Sequence, residues 1–299
     1  STGFNLYSPT LYRGISIQEI QTIVKHFGEA VDFCRECGFD CVEIHCGHAY
    51  LISQFLNPSL NRPKDKYGGS LENRMRFMNE VLSEVMIHAK NDIAVVVKTN
   101  MTDGYNGGVS MEEGIEIARN IQKHGVHGIV LSAGTVSRTP MLILGGSMPL
   151  KTLAYYMNPW KFWWLKLGLE IGGKIVIPPT KYHELYFMEW AKRFKQEIPE
   201  ANFIYVGGVQ SRKNADTVIK EGFNLMQIGH VLVQDPAFVN HMKESDENYR
   251  SACKRSNYCV GRMYTLEMKC HQCMKESLPK KLQKEIDKAE AYNEQHMCD

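Results

Sequence analysis

The sequence predicts an α/β fold with a parallel sheet, and three observations lead to that class. Segments with the three-and-four apolar spacing of amphipathic helices alternate with short apolar runs of strand length along the 299 residues. Glycine follows several of the helical segments, so each helix leads directly into the next strand. A composition of 43% hydrophobic and 23% charged residues suits a folded chain with one large core. Strands that alternate with helices indicate a parallel sheet.

Five helix-and-strand pairs follow one another along the chain. They are helix 15–38 and strand 41–45, helix 71–89 and strand 93–99, helix 111–123 and strand 128–132, helix 182–196 and strand 203–206, and helix 211–221 and strand 225–228. Gly38, Gly125 and Gly222 stand where three of these helices end. Right-handed crossovers would wind the pairs into an open doubly wound sheet or into part of a closed eight-stranded barrel. The polar segment 276–298 is expected to be a solvent-facing helix or a frayed end.

The charge balance excludes several classes of partner. With 35 Lys plus Arg against 33 Asp plus Glu, the net charge of +2 gives no broad field for nucleic acid or anionic lipid. We therefore expect a small-molecule ligand and no nucleic-acid partner. No run approaches the roughly 20 apolar residues of a membrane-spanning helix, and residues 1–14 lack the pattern of a secretory signal. Nine cysteines suit reduced thiols in the cytoplasm, unless a signal was removed beforehand.

The end of the first predicted strand brings ionisable side chains together. Alternation places Glu43 and His45 on one face of the strand, which is costly unless they are paired or functional. His45 and His48 are suited to donate to one substrate oxygen, and Tyr50 adds a weak acid with a pKa of about 10. The alternative is that both histidines simply bond to backbone carbonyls.

Later strand ends suggest contacts to an anionic ligand. Lys98 would place positive charge there, although a surface lysine is the commoner explanation. Ser132 ends the following strand, and we place it among the cofactor-binding residues. The last two strands are followed by the pair Gly207 and Gly208 and by Gly229. Glycines at such positions allow backbone amides to approach a phosphate.

A long string after the first strand resembles the old yellow enzyme family of FMN-dependent NAD(P)H oxidoreductases, whose fold is a TIM (β/α)8 barrel. The matching residues are Gly38 to His45, His48, Tyr50-Leu51, Gln54 to Leu56, Pro58, Tyr67 to Arg74 and Phe77. The similarity continues through Lys98, Gly104, Gly207-Gly208 and Asp235-Pro236 to about Cys273, and so covers most of the chain.

The resemblance implies a role for each matching residue. The pair His45 and His48 would hold the carbonyl oxygen of an activated alkene, and Tyr50 would deliver a proton to its α carbon. Lys98 would lie beside the flavin pyrimidine. The three glycines named above would cradle the FMN phosphate. The reaction would pass a hydride from NADH or NADPH to FMN and then from flavin N5 to the β carbon of an enone or enoyl substrate.

One departure from the family concerns the strands. Family members carry three strands before the one that ends at His45, whereas this chain starts just ahead of the preceding helix. We therefore expect the C-terminal five βα units of a TIM (β/α)8 barrel, incomplete at the N-terminus, in a domain 1–274 followed by a polar tail 275–299. The chain would then be a truncated product, a fragment or one chain of a split enzyme, and its open sheet edges would favour a homo-oligomer or a complementing chain.

Two further departures concern single residues. His230 stands where the family has an arginine on the phosphate, so that contact is expected to be weaker. Relatives such as 2,4-dienoyl-CoA reductase hold a 4Fe-4S cluster in the region of Cys253, Cys259, Cys270 and Cys273, but Ser256 stands where a cysteine is expected. Unliganded cysteines are preferred here to a cluster or zinc, because only the last two form a tight pair.

Three functional hypotheses remain. The first is an FMN-dependent ene-reductase, and the second is an inactive remnant that keeps the histidine string by descent. The third is another barrel enzyme that takes a phosphorylated sugar or nucleotide at residues 207–229.

An aromatic segment is expected to form a lid, with a contact surface, a membrane-surface helix or core packing as alternatives. Its aromatic residues are Tyr155, Tyr156, Trp160, Phe162, Trp163 and Trp164.

Overall fold

The structure, a computed structural model, describes residues 3–5, 10–62, 65–156, 167–168, 173, 177–263, 267–274 and 277–296. The chain divides into two compact units. The first comprises Ser1–Thr139, Glu189–Tyr205 and Phe223–Leu225, and the second comprises Pro140–Met188, Val206–Gly222 and Met226–Asp299. Among the helices of these described segments, none is both long enough and apolar enough to cross a membrane.

The elements follow one another in the predicted alternation over much of the chain. They are β1 Gly3–Asn5, β2 Thr10–Tyr12, α1 Ile17–Glu36, β3 Cys41–Cys46, α2 Leu51–Leu56, α3 Leu71–Ala89, β4 Ala94–Asn100, α4 Met111–Lys123, β5 Gly128–Ser132, α5 Pro140–Leu144, α6 Leu150–Tyr156, α7 Met188–Glu197, β6 Phe203–Val206, α8 Arg212–Lys220, β7 Leu225–Gln227, α9 His230–Gln234, α10 Phe238–Glu244, α11 Tyr258–Arg262, a 3-10 turn His271–Cys273 and α12 Lys280–His296.

Strands β3 to β7 form one five-stranded sheet in sequence order. The pairs β3 with β4, β4 with β5 and β5 with β6 are parallel. In this register His45 lies opposite Lys98, and Asn100 lies opposite Ser132. The carboxyl ends of these strands therefore meet along one edge of the sheet. The predicted α/β class with a parallel sheet is confirmed.

The strands alternate as the sequence indicates. Val95 and Val97 in β4 are fully buried, whereas Val96 and Lys98 on the opposite face are partly exposed. Every residue of β5 is buried. Such a strand needs cover on both faces, as parallel strands generally do.

Local capping explains where the predicted helices begin and end. Ser16 and Glu19 form a capping box at the start of α1, and Ser70 and Ser110 cap α3 and α4 through their hydroxyls. Gly38 and Gly125 follow α1 and α4 with φ angles of 81° and 75°. A side chain is disfavoured at both positions by the left-handed backbone alone, since no atom lies within 4 Å of an added Cβ.

The helix predicted over 182–196 begins only at Met188, so the prediction is wrong for 182–187. Leu185 has a φ angle of 54°, which a continuous right-handed helix does not allow. Its backbone N–H donates to the carbonyl of Gly208 at 3.4 Å. Tertiary contact with the glycine pair thus overrides the local helical pattern.

The C-terminal segment forms a helix within the second unit. One face of α12 is buried, with Leu282, Ile286, Ala289 and Asn293 spaced along it. Leu282 and Ile286 pack against Tyr258. The alternative of a frayed end is wrong for residues 280–296, and the helix faces solvent on one side only.

Of the aromatic segment, Tyr155 and Tyr156 belong to α6, whereas Trp160, Phe162, Trp163 and Trp164 lie outside the described residues.

Candidate active site at the strand ends

The carboxyl end of β3 gathers two imidazoles and a phenol. The rings of His45 and His48 meet edge to face with centroids 4.9 Å apart, and the rings of His45 and Tyr50 lie 5.1 Å apart. Nδ1 of His45 accepts a hydrogen bond from the backbone N–H of Gly47 at 3.3 Å. The neutral ring therefore carries its proton on Nε2. Tyr50 is 50% exposed, so its phenol is open to solvent.

The backbone at His48 is held in an unusual conformation. His48 and Ala49 have φ angles of 60° and 64°, where residues other than glycine are uncommon. Such strain persists only if the surroundings fix it. The N–H of His48 donates to Oδ1 of Asn100 at 3.1 Å, and the N–H of Ala49 donates to Oγ of Ser53 at 3.1 Å. These bonds hold the backbone at His48 and Ala49 in this conformation.

Ser132 binds His48 directly. Its Oγ lies 2.7 Å from Nε2 of His48, and Ser132 is almost fully buried at the end of β5. If the hydroxyl donates to Nε2, the proton of the neutral His48 ring lies on Nδ1. A ligand oxygen shared by both histidines must therefore use Nδ1 of His48 or displace Ser132.

Both histidines of the pair are neutral near pH 7. Burial lowers the pKa of His48 to about 3, with smaller contributions from His45 and Lys98. Burial also lowers the pKa of His45, together with Lys98, while Glu43 and a hydrogen bond with the Lys98 backbone oppose that shift. A hydrogen bond to the backbone is what we expect if His45 has only a structural role. The pair can bind an oxygen as neutral donors, not as cations.

Lys98 lies opposite His45 in the sheet, but its ammonium group forms an ion pair with Glu43. Its Nζ lies 2.8 Å from Oε1 of Glu43, and both side chains are about three-quarters buried. The strand register explains the pairing, because Glu43 lies opposite Val96, diagonal to Lys98 on the same face. Any anionic group that Lys98 contacts must compete with Glu43.

A buried polar network below the pair was not predicted from the sequence. Asp103 is fully buried and accepts from Nδ2 of Asn57 at 2.6 Å, from Nδ2 of Asn100 at 2.7 Å and from the N–H of Val109 at 2.9 Å. Burial nevertheless raises the pKa of this carboxyl. The one sequence feature that could have indicated this network is Asn100, a polar residue at the end of the strand that carries Lys98.

The predicted phosphate cradle belongs to the second unit. Gly207 and Gly208 have φ angles of 129° and 75°. An added Cβ would lie 2.9 Å from Phe187 and 2.7 Å from the backbone nitrogen of Leu185, respectively. Local packing alone therefore requires both glycines. At Gly229 no atom lies within 4 Å of an added Cβ, which leaves room for a ligand.

His230 is unsuited to bind a phosphate by charge. Burial lowers its pKa to about 3, and Arg255 nearby lowers it further. Its Nε2 lies 3.2 Å from Oδ1 of Asn257. The ring is neutral and engaged with an amide, so it offers no positive charge at this position.

Three of the four clustered cysteines line a small cavity in the second unit. Cys253, Cys259 and Cys270 surround about 20 Å³, room for a single water, together with His230 and Arg255. Burial raises the pKa of all three thiols, which opposes the thiolate form that metals need. Within the described segments, no group of three or more His, Cys, Asp or Glu residues is arranged to hold a metal ion. These residues do not fit a 4Fe-4S cluster.

Comparison with known proteins finds a family whose pattern matches the segment that holds the histidine string. The NADH:flavin oxidoreductase / NADH oxidase family matches residues 4–138. Among curated relatives, the 4,4'-dithiodibutanoate disulfide reductase of Rhodococcus erythropolis is 28% identical over 85% of this chain and 62% of its own length. The NADH oxidase of Thermoanaerobacter brockii is 29% identical over 83% of this chain and 33% of its own length.

A solved structure extends the likeness to the fold of almost the whole chain. A 2-naphthoyl-CoA reductase in complex with 2-naphthoyl-CoA aligns with a TM-score of 0.72 at 19% identity, over 96% of this chain and 38% of that one. The chain thus spans less than two thirds of the length of each of these proteins. A flavin and a nicotinamide donor are the cofactors of the NADH:flavin oxidoreductase family.

Proposed function

We propose that the chain is the substrate-binding part of an FMN-dependent NAD(P)H oxidoreductase that reduces the activated C=C bond of enone or enoyl substrates. The single observation that carries this proposal is the neutral pair His45 and His48 with Tyr50 beside it at one strand end. Neutral imidazole donors suit a carbonyl oxygen that gains negative charge during reduction. The match of residues 4–138 to the NADH:flavin oxidoreductase / NADH oxidase family supports the same reaction class.

The protein's own groups account for the proton side of the reaction. The rings of His45 and His48 would hold the carbonyl oxygen and draw electron density from the double bond, and His45 would exchange its backbone hydrogen bond at Lys98 for that oxygen. Tyr50 would give its phenolic proton to the α carbon, and its exposure allows solvent to replace that proton. When bound, FMN supplies the hydride for the β carbon, which it obtains from NADH or NADPH. One hydride and one proton thus add across the C=C bond.

The residues fit the flavin unevenly. In the first unit Lys98 offers a cation at the strand ends, and in the second unit the open space at Gly229 suits a phosphate. We propose that Gly207, Gly208 and Gly229 form that cradle and that His230 adds no charge to it. We also propose that Ser132 acts by holding His48 and thereby limits how a ligand enters.

The remaining assignments are proposals on the same basis. The likeness to the reductase fold supports the C-terminal five βα units of a TIM (β/α)8 barrel in residues 1–274, with 275–299 following the barrel. Within the described residues, β3 and β7 each have one neighbour in the sheet, which supports pairing with a complementing chain or a second copy. Eight cysteines in the described segments are free, which supports the reducing cytoplasm.

Flavin uptake tests the proposal directly. The purified chain is titrated with FMN, and both visible absorption and the fluorescence of free FMN are followed. Saturable binding, then oxidation of the NADH-reduced complex by 2-cyclohexenone, is the expected result. A chain that takes up no FMN in any oligomeric state would support the inactive remnant. FMN uptake only after an N-terminal partner segment is supplied would support the split enzyme.

A further inference from the structure

A turn after β5 brings an arginine to the strand ends that carry the histidine pair. Thr135 forms a parallel bridge with His48, and the N–H of Val136 donates to the carbonyl of His48 at 3.2 Å. Arg138 follows three residues after Thr135, and its N–H donates to Oγ1 of Thr135 at 3.2 Å. The turn thus starts beside His48, and Arg138 lies three residues after the first residue of the turn.

This turn is fixed by hydrogen bonds at both ends. The N–H of Thr135 donates to Oγ1 of Thr139 at 2.8 Å, and the N–H of Thr139 donates to the carbonyl of Thr135 at 3.1 Å. The hydroxyl of Thr139 in turn donates to the carbonyl of Asp103 at 2.8 Å. Arg138 is therefore carried by a turn that is closed on itself and tied to the loop after β4.

The guanidinium of Arg138 is oriented but not neutralised. Its Cζ lies 4.7 Å from the ring centroid of Tyr105, whose phenol is held by Nδ2 of Asn57 at 2.6 Å. No carboxylate among the described residues forms an ion pair with it. The carboxylate of the neighbouring loop, Asp103, is buried and satisfied by amides, and Lys98 is paired with Glu43.

We propose that Arg138, held against Tyr105, is an anion subsite that takes a carboxylate or phosphate group of a ligand bound at the His45 and His48 pair. This inference rests on the proposed function and names the substrate class, an activated alkene that carries a carboxylate. The planar fork of N–H donors on a guanidinium matches the two oxygens of such a group. The other source of the same chemistry is a phosphate of the nicotinamide donor.

Binding of a matched ligand pair tests the subsite without turnover. 4-Hydroxybenzoate and the neutral 4-hydroxybenzyl alcohol are titrated calorimetrically into the chain, with and without FMN. We expect the preference for the carboxylate to fall by about tenfold in Arg138→Gln and by less in Arg138→Lys, which keeps the charge but loses the fork. Arg193→Gln removes the same charge from α7, where Arg193 pairs with Glu112, and is expected to keep the wild-type preference. An unchanged preference in Arg138→Gln overturns the carboxylate assignment.

A second arm identifies the source of the anion. The dissociation constants of NADPH and NADH, which differ by one phosphate, are compared in wild type and Arg138→Gln. Loss of the NADPH preference with an unchanged carboxylate preference supports the subsite and assigns it to the donor. If neither preference changes, the subsite is refuted. Absence of FMN uptake or of enone reduction, by contrast, counts against the proposed function alone, because the calorimetric comparison also runs on the FMN-free chain.

Discussion

The backbone N–H of His48 donates to the side-chain oxygen of Asn100, two residues beyond Lys98 in β4. Nδ2 of the same asparagine donates to Asp103 and to the carbonyl of Gly134 at 2.7 Å each. One buried amide therefore joins the loops that follow β3, β4 and β5. The strained conformation at His48 depends on that amide.

Asn100→Ala tests this dependence. The variant leaves the N–H of His48 and a carboxylate oxygen of Asp103 short of a partner, which is expected to lower the free energy of unfolding by about 1–3 kcal/mol. Denaturant unfolding measures this loss. Because the His48 ring loses its direction, reoxidation by 2-cyclohexenone should slow more than reduction by NADH. Asn79→Ala, which removes an amide bonded to His124, is the control. Equal slowing of both half-reactions would show that Asn100 supports the fold only.

Tyr50→Phe separates proton delivery from hydride transfer. The variant keeps the ring beside His45 and removes the phenolic proton, so reoxidation by an enone should slow by about a hundredfold or more, while reduction by NADH stays nearly intact. Stopped-flow absorption of the flavin measures both steps. Tyr155→Phe changes a tyrosine that is exposed to a similar degree and serves as the control. Equal losses in the two steps would refute the role of Tyr50 as proton donor.

Acid should destabilise the chain through its buried histidines. The pKa of His230 is lowered to about 3 in the folded protein, whereas an unfolded histidine titrates near 6.5. The unfolded state therefore binds more protons between these values. The stability from keeping His230 neutral is complete above about pH 6.5 and falls on acidification toward pH 3, by at most about 1.4 kcal/mol per pH unit for this group.

Denaturant unfolding at several pH values between 4 and 7 measures this slope. His230→Gln should flatten it, because glutamine does not titrate and can still bond to Asn257. His26→Gln replaces an exposed histidine and should leave the slope as it is. A slope that His230→Gln does not alter would contradict the lowered pKa.

Leu282→Ala tests whether the C-terminal helix belongs to the folded core of the second unit. Leu282 is fully buried against Tyr258, so its truncation should cost about 2–5 kcal/mol of unfolding free energy. Thermal and denaturant unfolding measure the cost. Lys284→Ala on the exposed face of the same helix should change stability by less than about 0.5 kcal/mol. Similar small effects for both variants would indicate a loosely attached tail.

The elements that the sequence predicted well are those with strong local signals. The bounds of α3, α4, β5 and β6 agree with the predictions, since serine caps and apolar periodicity act over a few residues. The absence of helix at 182–187 could not be predicted, because the conformation of Leu185 depends on Gly208, which lies 23 residues further along the chain. Long-range contact decided that boundary.

In the candidate site, too, the features that lie close together in the sequence could be predicted, and those that depend on contacts between strands could not. His45, His48 and Tyr50 could be identified because they lie within six residues at one strand end. The bond between Ser132 and His48, the bond between Asn100 and His48 and the pairing of Lys98 with Glu43 arise from the parallel register, which brings different strands together. Arg138 gave no signal in the sequence, since its orientation depends on Tyr105 and Thr139.

The register that sets His45 opposite Lys98 also sets limits on engineering. Because side chains alternate with period two, inserting one residue within β3 would turn the imidazole toward the helices and bring Ile44 into its place. Loops do not alternate in this way, so an inserted residue there does not move every following side chain to the other face. Replacing the turn at 135–139 with a longer one should thus change which ligands bind. Lengthening strand β3 by one residue should instead abolish the proposed reduction.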